Sequence, residues 1–318
     1  MNHLVVQVRR KRAEALGIAS FELARPDGAP LPAFSAGSHI DVKLPGGLTR
    51  QYSLCNDDAE RHRYRIAVLR DAASRGGSVA MHDTVAEGDL LEISLPRNHF
   101  PLLRARRTLL FAGGIGVTPL LCMAQRLAAT GADFHLHYCT RSPEHTAFRE
   151  EIAASPFAAH VSFHHDNGPA DQKLDARAVL AQPQPGVDVY VCGPKGFIDH
   201  VTGVAREQGW PGEHVHVEHF GAPPADGTGD RAFRVQIASS GQVHEVPAGQ
   251  TVVQALQAHG IEIPVSCEQG VCGTCITRVL AGECDHRDLY FSDEEKARHD
   301  QFTPCCSRAR SPLLVLDL

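Results

Sequence analysis

Residues 266–277 read SCEQGVCGTCIT, which sets Cys267, Cys272 and Cys275 in a C-x4-C-x2-C array, and a further pair, Cys305 and Cys306, stands in TPCCS near the chain's end. With a distant fourth cysteine this is the plant-type spacing for a [2Fe–2S] cluster. Four thiolates have to converge on two irons, so the loop must wrap closely. Gly270, Gly273 and Thr274 between the ligands leave room for that. Zinc ribbons usually bring two C-x2-C pairs, and only one exists here. The fourth ligand is to be sought among Cys284, Cys305 and Cys306. Spacing favours Cys305, because the intervening segment is long enough for the chain to return to the loop as a strand.

Composition agrees with an intracellular metal centre. Six of the ten cysteines lie between Cys267 and Cys306 in a chain of 318 residues, far longer than a secreted disulfide scaffold. The N-terminus puts its apolar residues before its basic ones and lacks a cleavage site, so it does not read as a secretory signal. No apolar run is long enough for a membrane helix, and a net charge of -6 argues against nucleic acid as a partner. The expectation is a soluble, cytoplasmic protein of two or three domains.

Three rhythms follow one another along the chain. The first hundred residues carry short strand-like runs, such as LVVQVRR, HIDVKLP and YRIAVLRD, separated by Gly, Pro and Asp turns. This predicts an antiparallel β-barrel. From about Arg104, TLLFAGG leads into a glycine loop and an amphipathic helix; FHLHYCT, AFREEIAAS, VDVYVCGP and GFIDHVTGVAREQG then alternate strand with helix. That alternation predicts a parallel α/β sheet. GAPPADGTGD reads as a linker. Beyond it come a hairpin, a short helix closed by Gly260 and the cysteine loop. The domains expected are a barrel over 1–103, an α/β domain over 104–220, a linker over 221–231 and a cluster domain over 232–318.

A cluster carrier needs an electron source. In FAGGIGVTPLL, Gly113, Gly114 and Gly116 lie between strand and helix, where backbone amides and the helix dipole suit a pyrophosphate. Thr118 reads as the N-cap and Pro119 as the first helical residue. VYVCGP brings Cys192, Gly193 and Pro194 to the carboxyl end of another strand. Together these segments resemble the ferredoxin-NADP reductase superfamily, which implies that the glycine loop holds a pyridine dinucleotide and that Cys192 lies beside the nicotinamide. In the barrel, RQYSL (Arg50, Gln51, Tyr52, Ser53, Leu54) resembles that superfamily's flavin signature: Arg50 can pair a phosphate, Tyr52 offers an aromatic face, and the Ser53 hydroxyl can reach the flavin N5. Arg75, Gly76, Gly77 and Ser78, in RGGSV, resemble its second phosphate-binding turn.

The full order of barrel, nucleotide domain, linker and C-terminal ferredoxin, with RNHFPL, EHFGAP and CCSRARSPLLVLDL, resembles the phthalate dioxygenase reductase family over essentially the whole chain. The resemblance implies FMN as flavin, NADH as reductant, a β-grasp ferredoxin domain, Phe220 beside the isoalloxazine, Cys305 as fourth ligand with Cys306 as a packed thiol, a monomer, and a Rieske-type oxygenase as partner. Ser53 and Cys192 are then the catalytic candidates. Arg141, after the second parallel strand, could meet a phosphate on the adenosine side of NADH or NADPH. The competing readings are a reductase for another acceptor such as a diiron monooxygenase, a redox sensor that never binds nicotinamide, and a zinc-stabilised module. Paired histidines at His135 and His137 and at His214 and His216 each put two imidazoles on one strand face, but they lack the acidic or Cys companions a metal site would bring; RRKR, residues 9–12, reads as a solvated strand end or a docking point for an acidic partner.

Overall fold

The computed structural model describes residues 3–45, 47–72, 74, 76–221 and 227–318. The chain divides into two compact units, Met1–Phe220 and Gly221–Leu318.

The first unit opens with a seven-stranded antiparallel sheet. Its strands are β1 (His3–Ala15), β2 (Ile18–Ala24), β3 (Ser38–Lys43), β4 (Thr49–Ser53), β5 (Tyr64–Leu69), β6 (Leu90–Ser94) and β7 (Arg97–Asn98), and a short helix α1 (Gly77–Asp83) follows β5. The hydrogen-bonded order is β4-β3-β6-β1-β2-β5, with β7 on β3. A bridge from Leu54 to Ile66 joins the two ends and closes the sheet into a barrel. Val6, Val8, Phe21, Leu23, Ile40, Val42, Ile66 and Ile93 fill it. Strand β5 is buried on both faces: Tyr64, Ile66 and Val68 point into the barrel, while Ala67 joins the core of the next layer.

That layer is a five-stranded sheet in the order β10-β9-β8-β11-β12, parallel throughout. Its elements are β8 (Arg107–Gly113), α2 (Val117–Ala129), β9 (Asp133–Thr140), α3 (Arg149–Ala153), β10 (Val161–His165), α4 (Ala176–Val179), β11 (Val187–Cys192), α5 (Lys195–Glu207) and β12 (Val215–Glu218). The period of two in β8 sorts its two faces. Leu110 and Ala112 pack with Leu120, Leu121 and Met123 of α2, whereas Leu109 and Phe111 pack with Ile198, Val201 and Val204 of α5. Covering both faces explains why β8 and β11 are near-continuous apolar runs.

The second unit has a mixed sheet in the order β14-β13-β19-β15-β17, built from β13 (Phe233–Ile237), β14 (Val243–Val246), β15 (Thr277–Ala281), β17 (Gln301–Phe302) and β19 (Leu313–Leu316); β16 (Cys284–Asp285) pairs β18 (Arg308–Ala309) beside it. Helix α6 (Val252–Gln257) begins at Thr251 with a capping box to Gln254 and packs Val252, Ala255 and Leu256 into the core. Helix α7 (Asp293–Arg298) starts with a second capping box, Ser292 with Glu295. The barrel, parallel sheet and small α+β unit match the predicted fold class.

Several elements escape the sequence reading, among them α1, β10 and α7. Helix α1 is seven residues behind a glycine pair, β10 is a half-exposed edge strand rich in His, and α7 is one polar turn and a half. None of them carries a clear apolar period. The basic run at residues 9–12 is solvated at Arg9, Arg10 and Arg12, as expected, but it is not at a strand end and Lys11 is half-buried. It lies within β1, and Lys11 Nζ donates to the carbonyls of His82 at 2.6 Å and Val85 at 2.7 Å, at the end of α1. A cation there satisfies carbonyls left open by the helix.

Within the first unit Arg65 of β5 reaches across to Glu151 of α3 with two hydrogen bonds of 2.7 Å, its guanidinium lying over the Phe148 ring. Glu151 is 40% exposed, so water screens its half of the pair. We expect Arg65→Ala to lower the unfolding free energy by about 2 kcal/mol, less than the loss from a fully buried pair. Denaturant unfolding checks this; an unchanged midpoint would remove the pair from the forces joining barrel and parallel sheet.

Candidate functional site

The cysteine loop hangs between two fixed ends. Helix α6 gives way at Gly260, which adopts φ 76°, and β15 takes the chain up again at Thr277. Between them the sulfurs gather. Cys267 is within hydrogen-bond reach of Cys272 and Cys305, and Cys305 also reaches Cys275 and Cys306. All four of Cys267, Cys272, Cys275 and Cys305 are buried. The amide of Gln269 donates to Cys267 Sγ at 3.3 Å and that of Thr274 to Cys272 Sγ at 3.5 Å. Bonds from the Cys272 and Cys305 thiols hold Cys267 well below the usual thiol range, and the donating partners Cys272 and Cys305 are pushed up.

Two glycines let this loop close. Gly273 has φ 70°, and a Cβ there would stand 2.5 Å from the Tyr290 ring; Gly270 has φ 71°, and a Cβ would stand 2.4 Å from Cys306 Sγ. Of the three candidates for fourth ligand, Cys305 is the one whose sulfur reaches the sulfurs of Cys267 and Cys275. Cys284 is oriented towards the His299 carbonyl, 3.9 Å away, and Cys306 packs on the Gly270 turn and bonds Thr303. A buried set of four thiols with amides aimed at sulfur fits a thiolate-held [2Fe–2S] cluster.

In the barrel, β4 carries Arg50, Gln51, Tyr52 and Ser53, and Leu54 makes the closing bridge. The two segments expected to bind phosphate come together. A Cβ on Gly77 would lie 2.5 Å from the Arg50 side chain, so Arg50 runs over the turn where α1 begins. Gly76 turns the chain there at φ 90°, and Ser78 Oγ accepts from the Asp71 amide at 3.1 Å. Arg75 lies outside the described residues. Tyr52 packs against the barrel core, and burial raises its hydroxyl above the ordinary range.

Ser53 has a partner that the sequence reading missed. Its hydroxyl bonds Glu218, the last residue of β12, whose Oε2 is buried and whose carboxyl is pushed up to about 8 by desolvation. Opposite Ser53 in the sheet is His39, and Gln51 shares their face two residues away. Glu218 Oε2, His39 Nε2 and Gln51 Nε2 are all buried without a hydrogen-bond partner among the described residues. Buried polar atoms are seldom left so. Three of them round one serine fit a planar group with a polar edge, as a flavin has. The signal for Glu218 lay in VHVEHF: a carboxylate at the carboxyl end of a parallel strand, where ligands collect.

The glycine loop and the Cys192 strand meet backbone to backbone. A Cβ on Gly116 would stand 2.2 Å from the Cys192 carbonyl oxygen, and one on Gly193 would stand 2.9 Å from Gly113 Cα. Gly113 and Gly193 both lie against Phe197, and Pro194 is the N-cap of α5. Gly114 takes φ 54° in the 3-10 turn Gly114–Gly116 that leads into α2.

Thr118 is not the N-cap. The cap is Gly116 and α2 starts at Val117, so Thr118 and Pro119 occupy the second and third helical positions. The Thr118 hydroxyl donates to Ile115 O at 3.1 Å. Proline is tolerated there because first-turn amides have no intrahelical partner. Cys192 is fully buried at the end of β11, and burial keeps it a thiol. Arg141 is exposed just past β9. Phe220 is 41% exposed, which excludes the alternative that it is a core residue at a strand end.

The two histidine pairs differ in their surroundings, and one of them has the acidic companion that the sequence did not show. His137 stacks on Phe111 and approaches His164 at 3.1 Å, whereas His214 and His216 face an acidic companion, Asp188, at 2.8 and 3.7 Å.

Comparison with known proteins gives the same organisation. The 2Fe-2S iron-sulfur cluster binding domain family matches residues 235–310, and the oxidoreductase NAD-binding domain family matches residues 110–203. The chain is 56% identical over 314 residues to a vanillate O-demethylase oxidoreductase of Pseudomonas sp. (strain HR199 / DSM 7063), covering 98% of this chain and 99% of the relative. It is 44% identical over 317 residues to the phthalate dioxygenase reductase of Burkholderia cepacia, covering 99% and 97%. A solved phthalate dioxygenase reductase, described as a modular structure for electron transfer from pyridine nucleotides to [2Fe-2S], superposes with a TM-score of 0.79 at 44% identity, over 100% of this chain and 98% of the other. With the thiol loop, the glycine loop and the Ser53–Glu218 pair arranged as above, the chain belongs to the family of the phthalate dioxygenase and vanillate O-demethylase reductases.

Proposed function

We propose that this chain is the reductase component of a two-component oxygenase: it oxidises NADH and delivers single electrons to a Rieske-type oxygenase partner. The observation that carries this is the presence of three distinct sites in one chain, in an order shared with relatives along their whole length. Functionally, residues 1–103 hold FMN, 104–220 hold NADH, 221–231 link, and 232–318 hold the cluster. When bound, the flavin accepts a hydride from NADH and the [2Fe–2S] cluster takes electrons one at a time, at a potential of about −400 mV for plant-type centres. The family resemblance also supports a monomeric, cytosolic carrier; among the described residues no helix is long and apolar enough to cross a membrane.

The chain's own residues hold, orient and shield. Arg50 and Arg75, with the turn at Gly76, Gly77 and Ser78, hold the flavin phosphate, and Gln51, Tyr52, Ser53, Leu54 and Phe220 border the ring. Gly113, Gly114, Gly116 and Thr118 hold the dinucleotide, Arg141 its adenosine side, and Cys192, Gly193 and Pro194 the nicotinamide end. Cys267, Cys272, Cys275 and Cys305 ligate the cluster. Ser53 and Cys192 are the catalytic pair by position, and Glu218 orients the Ser53 hydroxyl. Burial keeps the Glu218 carboxyl protonated at neutral pH and Cys192 a thiol, so neither sets a negative charge against an arriving hydride. The aromatic or amine substrate of the system binds the oxygenase and needs no pocket here.

Cys305→Ser is expected to cut the iron content sharply while NADH still bleaches the flavin absorbance; electron delivery to an oxygenase or a one-electron acceptor then falls at least tenfold. Normal delivery by this variant would contradict the cluster's place in the route.

Glu218 gives a pH test. Its folded pKa lies above the usual carboxylate value, so the neutral form dominates below about 8 and charge appears as pH rises through it. The rate of flavin reduction by NADH should fall as pH rises through about 8 in the native chain. It should stay flat over that range in Glu218→Gln, which keeps the neutral state. Identical profiles would count against Glu218 as the titrating group.

A further inference from the structure

A second group of metal-binding side chains lies outside the four-thiol loop. Cys284 starts β16, His286 follows two residues later, and His299 caps the end of α7 in a left-handed conformation, φ 52°. One ligand atom from each of the three lies within 4.8 Å of the others. Cys284 is fully buried and the His286 side chain is 5% exposed.

The imidazole of His286 shows the arrangement expected of a metal ligand. Its Nδ1 is 3.1 Å from Asp288 Oδ1, and that carboxylate is itself fixed by the amides of Tyr290 and Phe291 at 3.2 and 2.9 Å. A carboxylate on one ring nitrogen fixes the tautomer and leaves the other nitrogen's lone pair free for a metal. That other atom, Nε2, is buried and has no hydrogen-bond partner among the described residues. A buried ring nitrogen with nothing to bind calls for an explanation.

We propose that Cys284, His286 and His299 form a second metal site that takes one zinc-class divalent cation, distinct from the iron centre. One thiolate and two imidazoles suit zinc and exclude hard cations such as magnesium and calcium, which prefer oxygen ligands. Three protein ligands leave the fourth tetrahedral position to water. The Cys284 thiol proton goes to solvent as the Zn–S bond forms, with no change in oxidation state. His299 Nδ1 accepts the Cys284 amide at 3.1 Å. Coordination through that lone pair trades one neutral hydrogen bond for one coordination bond. The cation would then tie β16 to the end of α7, bracing the segment that carries the chain from Cys275 back to Cys305. The inference stands independently of the electron-transfer reading.

The test uses the full-length protein with its flavin and cluster loaded, equilibrated with zinc sulfate by dialysis and analysed for zinc and iron by elemental analysis. The expected result is one zinc for every two irons in the native chain. Cys284→Ala and His299→Gln should lose that zinc while keeping both irons and the visible spectrum. Zinc should also raise the melting temperature of the native chain and leave that of the variants unchanged. His299 is partly exposed, so its variant keeps the test open should Cys284→Ala fold poorly. Zinc at background level in the native chain, zinc retained by His299→Gln, or zinc gained only as iron is lost would each overturn the proposal.

Discussion

The arrangement of the first unit turns on one polar contact between its two sheets. Ser53 at the end of β4 and Glu218 at the end of β12 come from strands that pair in different sheets, yet their side chains bond in a buried place. A buried carboxyl oxygen without a partner is costly, by roughly 1–3 kcal/mol for an unsatisfied polar group, and Glu218 Oε2 has none among the described residues. The fold supports it from several sides. Arg65 ties the barrel to α3, the apolar core runs from Ala67 through α2, and Gly116 lets the glycine loop lie on the Cys192 strand. A side chain at Gly116 would push apart the two strand ends that must meet.

Some of the unpartnered buried polar atoms among the described residues lie beside other candidate ligand groups. His39, Gln51 and Glu218 surround Ser53, and His286 stands beside Cys284 and His299. The cysteine loop uses a different device. Its sulfurs bond one another and nearby amides, and glycines at positive φ leave the wrapping chain room. Lys11 shows how far the support extends. By closing the end of α1 it steadies the helix whose first turn lies under Arg50.

Most of the architecture was legible because its signals are local. Spacing alone marked three cysteines, alternation of strand and helix marked the parallel sheet, and short strands between turns marked the barrel. Strands β8 and β11 were plain because burial on both faces makes them continuously apolar. What was missed depends on tertiary context. Glu218 reads as an ordinary strand-end acid until Ser53 is set against it. Lys11 reads as surface charge until α1 is placed beneath it. Thr118 looked like a cap because Thr-Pro usually starts a helix, but the 3-10 turn at Gly114–Gly116 moves the start forward. Helix α7 and the Cys284–His299 grouping depend on contacts across a segment with no apolar period.

In this family one chain takes electrons from NADH and carries them to its own iron–sulfur centre. The most direct measurement is anaerobic addition of one equivalent of NADH to the loaded protein, followed by visible absorbance and low-temperature EPR on the same sample. The expected result is loss of the flavin bands together with an EPR signal from a reduced [2Fe–2S] cluster. Flavin bands untouched by NADH, or flavin reduction with a cluster that stays oxidised and EPR-silent, would contradict it.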